Sequence, residues 1–234
     1  MVSPTGGGDR AREGIGREDG SSAAEARFAQ QVRPAVLSVL VLTLVAGGVF
    51  PLLLFAIGVP FFPSQSAGSL IRLHGTIVGS SLIGQDFTRP EWFQPRPSAA
   101  GRGYDGTASG GTNLAPDNPT LREGGADFVG IRALAAAYRR RNGLASDTAI
   151  PIDAVTRSGS GLDPDITPAN ASLQVARVAR LRSLAQSDVR RLVQEHVVQP
   201  QFGFLGEPRV SVLELNLALL RLQPRASPAP HAAP

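Results

Sequence analysis

The chain has 234 residues, 42% of them hydrophobic and 18% charged, with 26 Gly, 19 Pro and no Cys; that length holds one ordinary domain plus accessory segments or two small domains, and excludes a disulfide framework, a thiolate nucleophile and Cys-based metal sites. All 23 basic residues are Arg, so a Walker A loop and a Schiff-base lysine are excluded too. The pI is near 10.8 but the net charge is only +4, because Arg releases its proton only at very high pH, and nucleic acid is not an expected partner.

Residues 1–33 mix five Arg and five acids with Gly, Ser and Ala, a composition that buries no core, and they are expected to form a disordered cytoplasmic tail. From Pro34 to Ile71 no residue is charged, and Val36 to Ile57 reads VLSVLVLTLVAGGVFPLLLFAI. Those residues span roughly 33 Å as a helix, enough to cross a hydrocarbon core of about 30 Å. A transmembrane helix is expected over 34–58, with Gly47 and Gly48 permitting close helix contact and Pro51 producing a kink after Gly47. Arg17, Arg27 and Arg33 precede it and no Arg follows before Arg72, which predicts a cytoplasmic N-terminus and an extracytoplasmic remainder.

An uncharged linker over 59–68 follows, with Phe61 and Phe62 suited to the membrane interface. The remainder reads as an extracytoplasmic α+β domain over 69–222, ending in a disordered tail over 223–234. Short β-branched runs with Gly75, Gly79 and Gly84 predict strands and turns between Ser69 and Phe87. Thr88 to Asn118 is rich in Pro and Gly and carries Trp92, Phe93 and Tyr104, which reads as a long partner-binding loop. Apolar spacing from Phe128 through Tyr138 predicts a helix closed by Arg139, Arg140, Arg141 and Asn142-Gly143. Further helices are expected after Thr167-Pro168 and with Ser187 as N-cap. RVSVLELNLALLRL predicts a strand running into a helix.

Candidate chemistry is sparse. GRGYDG (Gly101, Gly103, Gly106) matches a dinucleotide fingerprint but lacks the preceding strand and following helix, so it reads as a loop. Ser109, Gly110 and Gly111, with Asn113, are candidates for a backbone anion or nucleotide contact, or for a tight turn. The densest polar cluster, TRSGSGLDPDITPAN, contains Ser158, Ser160, Asp163 and Asp165; its paired carboxylates could hold a cation or share acid/base work, or the segment could be a rigid turn capping the next helix. His74 and His196 read as core or face residues, His231 is remote from both, and no metal or catalytic residue is assigned.

Four pieces in order, the single span, GSSLIGQDFTRPEWFQPRPSA, the SGGTNLAP loop with its downstream helix, and SGSGLDPDITPANASLQVARVARLR followed by FGFLGEPRVSVLELNLAL, resemble the C subunit of the Kdp potassium-transporting P-type ATPases. The resemblance implies a noncatalytic accessory subunit in a bacterial inner membrane complex. Its implied partners are a P-type ATPase catalytic subunit and a channel-like potassium-binding subunit, besides the lipid bilayer. It further implies a catalytic chaperone that raises ATP affinity, with ATP as a cofactor bound through the ATPase subunit. The absence of Lys agrees with that division of labour, since the Asp-Lys-Thr-Gly phosphorylation loop cannot be built here. The topology read from the arginines places the folded domain across the membrane from cytoplasmic ATP. Gly47, Gly48, Trp92, Phe93, Tyr104, Ser160, Asp163 and Asp165 are the expected partner contacts. The competing readings are a free-standing anchored hydrolase using Asp163 and Asp165, and a tethered binding module.

Overall fold

A computed structural model describes residues 15–222 of the chain, in two compact units that divide after Ser66. In the first, helical backbone runs through α1 (Ile15–Leu44), a π-helical turn (Val45–Val49) and α2 (Phe50–Phe61), followed by a short α3 (Pro63–Ser66). Pro51 explains the interruption: its ring lacks an N–H and would collide with the carbonyl four residues back, that of Gly47. The chain responds by widening the turn, so that the Phe50 N–H donates to the Val45 oxygen five residues back. The break expected after Gly47 is therefore a π-turn containing both glycines.

Gln30–Phe61 is apolar and 32 residues long, with none of it buried inside the molecule; a helix of this length could span a bilayer. The segment read as an unstructured tail is helical from Ile15 onward, because a composition unable to form a core can still form a helix. Helix also occupies much of the expected 59–68 linker. The first 14 residues and 223–234 lie outside the described residues, and the tail readings that fall there lie outside with them.

The second unit mixes helices with two small sheets. Strands β1 (Leu70–Leu73) and β2 (Thr76–Ser80) form an antiparallel hairpin, closed by His74 and Gly75 at φ 50° and 83°, the left-handed pair that matches strand twist. His74 is thus an exposed turn residue, neither core nor helix face. After the irregular segment come α4 (Pro119–Glu123), α5 (Ile131–Asn142), β3 (Asp165–Ile166), α6 (Pro168–Leu181), α7 (Gln186–Glu195), β4 (Val210–Ser211) and α8 (Val212–Leu219). The helices expected after Phe128 and Thr167 form, with Gly143 as a left-handed C-cap and the Thr167 hydroxyl accepting from Asn170 N. Ser187 is not a cap: α7 starts at Gln186 behind Ala185, which places Ser187 in the first turn.

RVSVLELNL does turn from strand to helix, the Ser211 hydroxyl accepting from Glu214 N. The partner of β4 is β3, an antiparallel neighbour pairing Asp165 with Ser211. The core forms where α6 (Ala171, Val175, Val178), α7 (Val189, Val193) and α8 (Leu215, Leu219) meet Ile166 and Val210. Spacings of three and four residues along each helix put these side chains on one face.

Candidate functional site

The long irregular segment folds onto its own unit, which removes Phe93 from the surface expected to meet a partner and leaves Trp92 and Tyr104 half-buried. Phe93 is 0% exposed and belongs to the core. Its backbone is bracketed by one carboxamide: Phe93 N donates to Asn216 Oδ1 and Asn216 Nδ2 donates to the Phe93 oxygen, both at 2.9 Å. Gln174 treats Gln94 the same way, at 2.8 and 3.0 Å. Side-chain amides thus supply the pairing a neighbouring strand would have given, which is how a segment without secondary structure can be buried.

Arg177 of α6 completes the attachment. It is 1% exposed, and its guanidinium donates to Asn142 Oδ1 (2.8 Å), Gln174 Oε1 (2.7 Å), the Trp92 oxygen (2.9 Å) and the Pro90 oxygen. Burial, reinforced by nearby Arg141, lowers its pKa to about 10, so it stays protonated at neutral pH. Trp92 is half-buried beneath the Arg182 guanidinium, 4.0 Å from its ring centroid, a cation–π contact. Tyr104 donates its hydroxyl hydrogen bond to the Arg96 oxygen; burial raises its pKa well above the usual phenol value. Asn170, Gln174 and Arg177 share one face of α6 at helical spacing. Three polar residues on the inward stripe were the signal in the sequence for this clamp.

The SGSGLDPD cluster is a packed seam. Asp163 pairs with Arg96 at 2.6 Å and Asp165 with Arg209 at 2.8 Å, while Asp165 N donates to Asp163 Oδ1 at 3.0 Å. Burial outweighs Arg209 and raises the Asp165 pKa. Asp153, absent from the sequence candidates, accepts from Thr167 N, Thr167 Oγ1 and Asn170 Nδ2 at 2.8 to 2.9 Å, fixing the start of α6. Ser160 is exposed, and its carbonyl accepts from Gly110 N (2.9 Å) and Ser109 Oγ (3.0 Å). A side chain on Gly161, at φ 69°, would put Cβ 2.6 Å from Ala100 N and Gly110 O. Two glycine-bearing segments therefore touch backbone to backbone.

That packing engages the candidate anion loop. The Gly110 amide is already donated, and Arg157 beside the loop faces the Phe128 ring, 4.2 Å from its centroid. Gly110, Gly111 and Asn113 line an open cleft together with Arg157 and Ser158. GRGYDG is a run of tight turns.

Asp153, Asp163, Asp165, Arg96 and Arg209 border a cleft of about 340 Å³ whose opposite wall is Gly206–Arg209. From that wall rises a hairpin that none of the sequence candidates included. Val198 and Arg209 exchange backbone hydrogen bonds at 2.8 and 3.0 Å, and Gln201 and Leu205 do so at 2.9 Å. The tip turns through Phe202 and Gly203, φ 55° and 82°. Phe202 and Phe204 are 80% and 75% exposed, with Val198 and Leu205 also exposed. Its signal in the sequence is the uncharged run VVQPQFGFLG. Gly47 lies exposed and Gly48 half-exposed on the apolar helix.

The site can therefore hold an apolar protein surface beside an ion-paired rim; Asp163 and Asp165 are paired with Arg96 and Arg209, and Asp153 is bonded to Thr167 and Asn170. Residues 32–221 match the family model described as KdpC, the K+-transporting ATPase c chain. The chain is 47% identical over 193 residues to the potassium-transporting ATPase KdpC subunit of Mycobacterium tuberculosis, covering 82% of this chain and 99% of that protein. It is 49% identical over 198 residues to the KdpC subunit of Caulobacter vibrioides, covering 84% and 96%, and 47% identical over 194 residues to that of Koribacter versatilis, covering 83% and 96%. With a family model spanning nearly all of the described residues and relatives at this identity, the chain belongs to the KdpC family of K+-transporting ATPase c chains.

Proposed function

We propose that this chain is a noncatalytic accessory subunit of an ATP-driven potassium import complex, and that it acts by docking the Val198–Arg209 hairpin onto a partner subunit. The observation that carries this is the pair Phe202 and Phe204, exposed at 80% and 75% on a hairpin braced at its base by paired backbone hydrogen bonds. Large aromatic side chains held rigidly in water are characteristic of interface anchors. The ion-paired rim of Asp163, Arg96, Asp165 and Arg209 would surround the contact and orient it.

The partners in this reading are the P-type ATPase catalytic subunit and the channel-like potassium-binding subunit. The helix of residues 30–61 anchors the chain in the bacterial inner membrane as a single pass, with its N-terminus cytoplasmic. Gly47 and Gly48 offer a second contact, inside the bilayer, where small residues let helices approach. Any rise in the ATP affinity of the complex is then indirect, transmitted through the partner subunits, with ATP bound by the catalytic subunit. The hydrolase reading has less support, since Asp163 and Asp165 are each ion-paired with an arginine.

The test is co-purification from cells expressing the whole complex, with the tag on the ATPase subunit. Phe202→Ser combined with Phe204→Ser should release this chain while its own unfolding transition is unchanged, because both side chains face water. Full retention of the double variant would refute docking through this hairpin.

A further inference from the structure

The β1–β2 hairpin has a face that its own unit leaves uncovered. Burial alternates along β1, so Ile71 and Leu73 are half-buried while Leu70 and Arg72 are exposed. Leu73 and Val78 turn inward, lining an apolar cleft with Phe87, Trp92 and Leu213. An irregularity in the register between Ile71 and Arg72 sets Arg72 opposite Ile77. The outer face thus combines Leu70, Arg72 and Ile77, and Leu82 and Ile83 are exposed just beyond β2. His74 stands at the turn. Among the described residues the Arg72 guanidinium donates only within its own turn, to the Gly75 oxygen at 3.1 Å.

Charge and chain length choose the occupant. The sequence contains no Asp or Glu between Glu25 and Asp86, so this apolar face carries the Arg72 guanidinium and no carboxylate to repel an anionic surface. Only residues 62–68 separate the end of the apolar helix at Phe61 from Ser69. Even fully extended, that connection reaches roughly 28 Å, so the hairpin is tethered close to the surface of any bilayer the helix crosses. Apolar side chains beneath an unopposed arginine are the chemistry of a segment lying at the acyl boundary with its cation among lipid phosphates.

We infer that the outer face of the β1–β2 hairpin lies in the headgroup layer, with Leu70, Ile77, Leu82 and Ile83 toward the acyl chains and Arg72 on the phosphates of anionic phospholipid. The inference rests on the reading of residues 30–61 as a membrane span.

The absence of native Cys makes the test direct. The full chain carrying Leu82→Cys, or Ile152→Cys as a control exposed elsewhere on the domain, is spin-labelled. It is then reconstituted alone into vesicles of phosphatidylcholine with or without phosphatidylglycerol. Collision rates with oxygen, which concentrates in lipid, are compared with those of a water-soluble nickel chelate. The label at Leu82 should favour oxygen over nickel several-fold more than the label at Ile152, with the contrast larger in phosphatidylglycerol. Adding Arg72→Gln should remove the phosphatidylglycerol effect. Equal nickel access at both positions in both lipids would overturn the inference. So would shielding of Leu82 only after the other subunits are added, which would make this face a protein interface. Release of the chain from vesicles by alkaline carbonate would overturn the span itself, and the hairpin placement with it.

Discussion

Replacing Arg177 with Met keeps the aliphatic stem and removes the guanidinium that ties the Pro90 and Trp92 carbonyls to α6, while Gln174 still brackets Gln94. The Asn142, Gln174, Trp92 and Pro90 oxygens lose a donor in a site that is 1% exposed, and a buried acceptor left without its donor costs about 1–3 kcal/mol. Some of that is returned. Burial lowers the Arg177 pKa to about 10, so the buried charge itself costs the folded state about 3 kcal/mol. For four such oxygens the net loss should be about 1–9 kcal/mol, a large share of the roughly 5–15 kcal/mol that stabilises an ordinary domain. A folded pKa below the unfolded one means that this charge cost is fully present below about pH 10 and is relieved only as pH rises above it. The effect of the substitution should therefore be constant between about pH 6 and 9. Trp92 is the single Trp of the chain, so urea titration of the detergent-solubilised protein by its fluorescence reads this segment alone, while far-UV circular dichroism reads the helices. In Arg177→Met the fluorescence midpoint should fall below the dichroism midpoint. Coincident midpoints within about 0.5 kcal/mol of the parent protein would refute the clamp.

Three other outcomes follow from the geometry. Gly161→Ala should lower thermal stability by about 1–3 kcal/mol, since the methyl would meet Ala100 N and Gly110 O at 2.6 Å; unchanged unfolding would mean the two loops are not in contact. Asp165 has a folded pKa raised by burial, so its penalty is absent below the unfolded pKa and complete above the folded one. Asp165→Asn should accordingly look more favourable relative to the parent at pH 7 than at pH 4 in parallel unfolding curves, and the reverse slope would contradict the assignment. A reporter fused after residue 230 should be active only if it works outside the cytoplasm; activity of a cytoplasm-only reporter would reverse the topology read from Arg17, Arg27 and Arg33.

Helices were legible where local rules decide them. Thr167-Pro168 and Asn142-Gly143 are start and stop signals whose chemistry lies within one turn, and the apolar length of residues 36–57 speaks for itself. The burial of the long loop is not legible locally because its partners are distant in sequence: Phe93 is held by Asn216 and Gln94 by Gln174, and no local composition reveals such pairing. Richness in Pro and Gly described the missing secondary structure correctly and the exposure wrongly. The same distance hid β3, a two-residue strand defined only by its mate, and α7 began ahead of its expected cap because Ala185 could serve without a side-chain bond. In the site, the carboxylates Asp163 and Asp165 were visible as a cluster, but their arginines, Arg96 and Arg209, come from elsewhere in the chain. Phe202 and Phe204 went unnoticed because an apolar pair in a short run reads as core until the fold turns it outward.

The central claim, an accessory subunit without catalysis of its own, is tested most directly by potassium-stimulated ATP hydrolysis in the purified complex. It should be measured with this chain, without it, after adding it back, and on this chain alone. The account predicts no hydrolysis by the chain alone, loss of potassium stimulation when it is omitted, and recovery on its return. Hydrolysis by the isolated chain, or full stimulation in its absence, would contradict it.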